Sequence, residues 1–506
     1  MTRKIHDFIQ RRALLLFSLL TSTAVLAICS KSSPLYPMND WVDVHCFLTL
    51  GRGMLNGLVP YVDLYEQKGP VLYFVYAIVA LFSQRSFLGQ YLLEVICFTL
   101  FLYYSGKIAQ LYLGKSWFCY PIVLGLALIT TTRAFSHGGS VEQNCLFLFA
   151  YGLYSVLRAI HEDRGLTFRE ALVNGIFAGA AFWIKYTTAG FYIGLALAVL
   201  IVYIGWVRDW RQLLRTIGAF LLGIGLVSAV VLLYFTVNGA LEELFTCYFY
   251  NNLFLYPEEN AQPLLDQILS QFSSALLKNK LFAAALYVGL GYLFLEGKQM
   301  SRQLLTVTLS LAGLASTTFM GKGYVYYSLV LCGYAVFGLI GISKALKAVC
   351  KALDVQVGPD RRMLRSGLVG LLALCCLLQC HASSPNTYLM DYEKEQMPQF
   401  QFAAYMLDKK EDPTLLNFGF LDAGFYYAAD SLPVCPFFCT FNVNAPGMWE
   451  TQYEYIREGK VDFVITRRYP LVNYQVDSSR YQLVDTASMY FEGVDFTYYL
   501  YELVEE

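Results

Sequence analysis

The stretch Val71-Leu-Tyr-Phe-Val-Tyr-Ala-Ile-Val-Ala-Leu-Phe82 decides the topology. It is apolar throughout, yet it has only about a dozen residues, and crossing the hydrocarbon core of a bilayer takes roughly 20. Read as a crossing, it inverts every later loop. Read as an interfacial or re-entrant helix, it leaves twenty Lys and Arg on the side of the N-terminus and nine on the opposite side ahead of the C-terminal tail. Basic residues concentrate in short cytoplasmic loops, so the second reading is preferred. The N-terminus, with Arg3, Lys4, Arg11 and Arg12, is then expected in the cytoplasm. The run from Ala13 to Cys29 behind those charges resembles a secretory signal in its flanks, but the spans that follow make it an uncleaved anchor.

Apolar stretches near 13–29, 88–106, 117–132, 144–160, 170–184, 187–206, 214–236, 279–295, 303–320, 324–343 and 364–380 read as spans. The expected fold is an α-helical polytopic membrane protein of about 11 transmembrane helices, multi-pass in the cell (plasma) membrane. Composition agrees, with 57% hydrophobic and 15% charged residues against roughly 25% charged in soluble domains. A net charge of -1 argues against nucleic acid as a partner, because phosphate binding needs a basic stripe. Three sizeable pieces are expected outside: a loop over 30–87, a loop over 238–278, and the tail 381–506. Residues 1–380 then form the membrane module. The tail reads as an extracytoplasmic small α/β domain, with strands at Thr414–Phe420, Val461–Thr466 and Phe496–Val504 and helices near 396–408 and 448–458. It carries no nucleotide fingerprint. The loop 238–278, with Tyr248, Tyr250, Tyr256, Glu258 and Glu259, is long enough to serve as a lid. Gly175 and Gly179 form a small-xxx-small pair suited to helix packing. The thirteen cysteines show no metal-ligand spacing. Cys435 and Cys439 are either a disulfide or two free thiols.

The residue types that carry chemistry are densest in the first external loop. Asn39-Asp40-Trp41-Val42-Asp43 places two carboxylates just past a span, where partial desolvation makes an acid a better base towards a hydroxyl. The alternative is that both acids only favour the dipole of a helix start. Gly51-Arg52-Gly53 has no preceding strand and the wrong spacing for a dinucleotide loop.

The run Asp43 … Gly51-x-Gly53-Met-Leu-x-Gly57-x-x-Pro60-Tyr61-x-Asp63 … Lys68-Gly69-Pro70, set after the first span and before an apolar interfacial segment, resembles the first external loop of bacterial GT-C glycosyltransferases. These are similar to the protein O-mannosyltransferases and the aminoarabinose transferase of lipid A. The resemblance implies a GT-C-like fold and transfer of a sugar from a polyprenyl-phosphate donor to an extracytoplasmic acceptor, whether glycan, lipid or protein. It implies Asp43 as catalytic base, with Asp40 as the fallback, and inversion at the sugar carbon. A second match, Arg133-Ala-Phe-Ser-His137-Gly138-Gly139-Ser140-Val141-Glu142, marks Glu142 as the other acid, orienting the acceptor or holding a divalent cation; the metal requirement stays open. Ser140 stands where the family pattern has Asn. A third match is Gly321-Lys322-Gly323-Tyr324-Val325-Tyr326-Tyr327, with Tyr326 in place of His. Lys68, Arg133, Lys185 and Lys322 are the implied donor-phosphate ligands, although each Lys also has the option of snorkelling to the interface. Tyr61, Asp63, Tyr324 and Tyr327 are the implied substrate-binding residues.

Two other classes compete with a transferase. A transporter or flippase of lipid-linked sugars would place ionisable groups inside spans, near the bilayer middle, whereas the acids marked here sit in external loops; Glu94 is an exception. A non-catalytic assembly or sensor protein would make both acids dispensable.

Overall fold

In lipid, each backbone N–H and C=O must be satisfied within its own segment, so long apolar runs become helices. The computed structural model describes residues 2–255, 263–296, 298–352, 362–443, 445–491 and 494–504. In chain order the helices are α1 (Thr2–Cys29), α2 (Val42–Leu55), α3 (Pro70–Phe82), α4 (Leu88–Leu113), α5 (Cys119–Ala127), α6 (Val141–His161), α7 (Phe168–Ile184), α8 (Gly190–Val202), α9 (Trp210–Val237) and α10 (Leu241–Phe245). They continue as α11 (Leu264–Lys278), α12 (Lys280–Leu295), α13 (Lys298–Thr318), α14 (Leu329–Cys332), α15 (Ala335–Ala352), α16 (Arg362–Ser383), α17 (Pro398–Lys409), α18 (Phe425–Ala428) and α19 (Met448–Arg457). The strands are β1 (Leu415–Phe418), β2 (Phe463–Arg467), β3 (Tyr481–Phe491) and β4 (Val494–Leu503).

The protein is a multi-pass membrane protein. Among the described residues five helical stretches are long and apolar enough to cross a bilayer: Arg12–Cys29, Leu88–Leu113, Tyr186–Val207, Trp210–Val237 and Met363–Ser383. Val325–Cys332 with Ala335–Cys350, bent by 44°, makes a sixth if the pair is one span. The stretch that decides the topology is helix α3, with 13 residues. Of the lid residues, Tyr256, Glu258 and Glu259 lie outside the described residues; Tyr248 is buried and Tyr250 exposed, both in a π-helical segment, Thr246–Leu255.

The chain divides into two units. The first comprises Met1–Ser30, Tyr91–Ala229 and Asn260–Thr387. In it α8 packs along α13 and α12 along α15. The second comprises Lys31–Gln90, Val230–Glu259 and Tyr388–Glu506, so the first loop and the tail belong to one body.

In the second unit α2 lies against α3 at Gly51, where an added Cβ would sit 2.5 Å from the backbone C and O of Tyr76. The helix ends at Gly57, in the left-handed region at φ +85°. There Leu58 N donates to Gly53 O at 3.0 Å and Gly57 N to Met54 O at 3.2 Å, the pairing of a Schellman stop. The glycines of this motif thus serve packing and termination.

The tail forms a four-stranded sheet of order β1-β2-β4-β3, with β1 and β2 parallel and the other pairs antiparallel. Leu416, Phe418, Ile456, Val464 and Tyr501 build its core. The expected strands and helices are present; β3, an edge strand of mixed polarity, is additional. Cys435 is buried in that core and Cys439 faces Cys46 with 4.0 Å between sulfurs, all as free thiols.

Gly51→Ala is expected to cost about 1–3 kcal/mol through overpacking. Gly218→Ala, whose Cβ would meet nothing within 4 Å, should be neutral or stabilising, since Gly inside a helix costs about 0.5–1 kcal/mol relative to Ala. Thermal melts of the purified chain in detergent check this, and a wild-type midpoint for Gly51→Ala would contradict the close approach.

Candidate active site

The two acids of the first loop have different surroundings. Lys31 Nζ donates to Asp40 Oδ1 at 2.6 Å and the Tyr388 hydroxyl donates to Oδ2 at 2.9 Å. Lys31 and Asp40 are both buried, so Asp40 is a fully engaged partner of an ion pair. Asp43 is half-buried, in the first turn of α2. Its carboxylate makes no hydrogen bond or ion pair among the described residues. The backbone before it is fixed: Trp41 N donates to Asn39 Oδ1 at 3.0 Å, and Asn39 Nδ2 to Ser32 Oγ at 3.0 Å.

The rest of the loop is held by its own side chains. Asp63 Oδ2 accepts from Val59 N at 2.7 Å, closing the turn around Pro60. Tyr61, at φ +72°, donates its hydroxyl to Lys68 O at 2.5 Å and stacks on Phe235. Burial pushes its phenol well up, so it remains a donor. Buried Glu66 accepts from Lys68 N at 2.7 Å and from the Tyr73 hydroxyl, and its other oxygen is 3.8 Å from Lys68 Nζ. Asn252 Nδ2, from the π-helical segment, donates to Gln67 O at 2.7 Å.

In the first unit, three separated stretches meet. Ser140 is the N-cap of α6, its Oγ accepting from Gln143 N at 3.1 Å. Ser140 therefore has a capping part of its own. Gly138 and Gly139, both in the left-handed region, turn the chain into that cap. Glu142 is buried, and Lys185 Nζ donates to its Oε1 at 2.5 Å. Its Oε2 is buried with no partner among the described residues. The ammonium of Lys185 also lies 3.7 Å from the centre of the Tyr327 ring. Tyr324 stacks on Tyr326 and meets Tyr327 edge-on. The turn at Arg133–Phe135 packs against the turn at Val325–Ser328, with Arg133 itself exposed. Lys322 is half-buried at the start of this tyrosine segment.

The structure thus gathers Glu142, Lys185 and Tyr327 directly, with Arg133 and Tyr324 on adjoining turns. Asp40, Asp43, Tyr61, Asp63 and Lys68 belong to the second unit. Among the described residues no three His, Cys, Asp or Glu side chains gather as a metal shell, so no residue set is assigned to a divalent cation. Sequence reasoning missed Lys31 and Glu66. Lys31 lies nine residues before Asp40 with no motif linking them, while Glu66 stands inside the matched loop, two residues before Lys68. Glu94, the acid within a span, accepts from Ser30 Oγ at 2.8 Å and Gln143 Nε2 at 2.9 Å, tying α1 to the start of α6.

No family model matches the sequence, and neither does any curated protein. Solved structures do. The crystal structure of ArnT from Cupriavidus metallidurans bound to undecaprenyl phosphate aligns with a TM-score of 0.61 and 12% identity, over 96% of this chain and 97% of that one. The apo state of the same protein aligns with a TM-score of 0.60, also at 12% identity. The chain shares the fold of ArnT along nearly its whole length.

Removing one partner of a buried ion pair leaves an uncompensated charge and costs about 3–5 kcal/mol. Lys185→Met should therefore lower the melting temperature sharply, and Lys185→Met with Glu142→Leu should recover most of the loss. Equal melting of the single and double variants would count against the pair.

Proposed function

We propose that the chain is a membrane glycosyltransferase that moves a sugar from a polyprenyl-phosphate carrier to an extracytoplasmic acceptor, with inversion at the sugar carbon. The observation that carries this reading is the Asp43 carboxylate, unpartnered among the described residues while its neighbour Asp40 is fully paired, in a chain with the fold of ArnT. ArnT has been solved with undecaprenyl phosphate bound, which supports a lipid phosphate as the carrier here.

In the reaction an acceptor hydroxyl or amine attacks the anomeric carbon as Asp43 takes its proton. The bond from that carbon to the phosphate oxygen breaks, and the phosphate departs with the electron pair. A phosphate-linked lipid is already a good leaving group, so the protein's task is one base, oriented reactants and cations for the departing charge. Lys68, Arg133, Lys185 and Lys322 are the proposed cations, of which Lys185 already shares its charge with Glu142. The open Oε2 of Glu142 suits a hydrogen bond from the acceptor. The N-terminus is assigned to the cytoplasm and the tail to the outer side.

Membranes carrying the chain, supplied with a panel of undecaprenyl-phosphate-linked hexoses and pentoses, test the reading. Asp43→Asn should cut transfer by about 10²–10⁴-fold, the usual yield of a general base, while undecaprenyl phosphate still raises the melting temperature of the purified variant. Wild-type transfer by Asp43→Asn would overturn the assignment. For Glu142→Gln, which keeps the shape but leaves Lys185 without its counter-charge, the expectation is a lowered melting temperature and, per folded molecule, transfer reduced at least tenfold in the same assay.

A further inference from the structure

His45, Thr49 and Arg52 stand at i, i+4 and i+7 of α2 and share one face of the helix. Asp43 lies about 200° around the axis from that face. All three are buried, and the hydrogen-bond partners of Thr49 and Arg52 come from one segment of the tail, residues 422–430. Thr49 Oγ1 donates to Asp422 Oδ2 at 2.8 Å. Asp422 Oδ1 accepts from Gly424 N at 2.9 Å and from Asn417 Nδ2 at 3.2 Å, so the carboxylate joins α2 to the end of β1. Arg52 donates from one NH group to Tyr426 O at 3.3 Å and from the other to Asp430 Oδ1 at 2.8 Å. Gly424, at φ +98°, lies flat on His45, and an added Cβ would come 2.6 Å from the ring's Cε1. His45 Nε2 is 2.6 Å from Asn39 O, in the strap just before α2. Burial lowers the basicity of this imidazole, which makes Nε2 the donor of a neutral ring.

We propose that segment 422–430 is a clamp that sets the orientation of α2, and that Asp422 is the positioning residue through which the tail aims Asp43. Its effect on transfer rests on Asp43 being the base; the clamp itself is a separate claim. The lever is short. From Thr49 to Asp43 is six residues, about 9 Å along a helix, so a tilt of about 5° at Thr49 moves Asp43 by about 0.8 Å. Misplacement on the order of 1 Å is enough to cost about 10²-fold in rate. This gives the tail a task in a reaction whose residues it does not itself supply.

Full-length Asp422→Ala, Asp422→Asn and Thr49→Val, purified in detergent, separate the two claims. Amide hydrogen exchange over 42–55 should speed up at least tenfold in Asp422→Ala, with exchange in α6 unchanged. In transfer assays kcat should fall at least tenfold with the donor KM unaltered, and Asp422→Asn, which keeps an acceptor for Gly424 N, should restore most of it. Thr49→Val removes one hydroxyl from the α2 side and supplies the same readings if Asp422→Ala does not fold. Wild-type exchange in α2 of the folded variants would overturn the clamp. Faster exchange with kcat and KM both unchanged would overturn the positioning role. If the wild-type chain transfers no sugar at all, the proposed function falls, and the exchange experiment still decides whether Asp422 holds α2.

Discussion

Helix α2 is buried from Val44 to Gly53 and yet carries His45, Thr49 and Arg52 along that stretch. Polar groups placed out of water without partners cost several kcal/mol each, so partners from elsewhere in the chain favour this helix in its place, although His45 Nδ1 and Arg52 Nε have none among the described residues. The tail supplies the acceptors: a carboxylate for Thr49, and a carbonyl and a second carboxylate for Arg52. Much of the organisation of the second unit follows from that one requirement. It explains why the first loop and the last 119 residues share a body although more than 290 residues separate them in sequence.

Two buried ion pairs illustrate how similar partners produce different chemistry. A buried pair is weak evidence for stability, because desolvation takes back most of the Coulombic gain. What distinguishes Lys31–Asp40 from Lys185–Glu142 is the second oxygen. Asp40 has Tyr388 on its second oxygen, whereas the second oxygen of Glu142 is buried and open. An acid with both oxygens occupied is an anchor. An acid with one oxygen held and the other open keeps a direction in which to receive a donor.

The architecture was legible where the signal is local. Apolar run length located the helices, and the shortness of Val71–Phe82 relative to a span was visible in the residues themselves. The glycine-rich motif was rightly refused as a nucleotide loop, although its actual parts depend on Tyr76 and Leu58 and could not be read from spacing. Strand β3 escaped notice because Tyr481–Phe491 mixes Asp, Thr and Ser with apolar residues and pairs along one side only, with β4. The pairings around the acids were hidden for a different reason. Lys185 lies 43 residues from Glu142, and Asp422 lies 373 residues from Thr49. Nothing in the local pattern of a lysine after an apolar run distinguishes one that snorkels from one that turns inward to a glutamate.

Asp43 and Glu142 occupy equivalent places in their helices, each being the second residue of the first turn. At that place the unpaired N–H groups and the helix dipole favour a negative side chain. In each case the residues just ahead hold the start of the helix still. Asn39 and Trp41 do so for α2, while Ser140, Gly139 and Gln143 do so for α6. Gln143 then reaches Glu94 on α4, which also takes the Ser30 hydroxyl. The acid inside a span, the feature that most favoured transport, is therefore part of the brace that holds Glu142 in place. A carboxylate committed in this way stiffens a site, whereas one that carries a substrate through the bilayer must exchange partners as the protein moves.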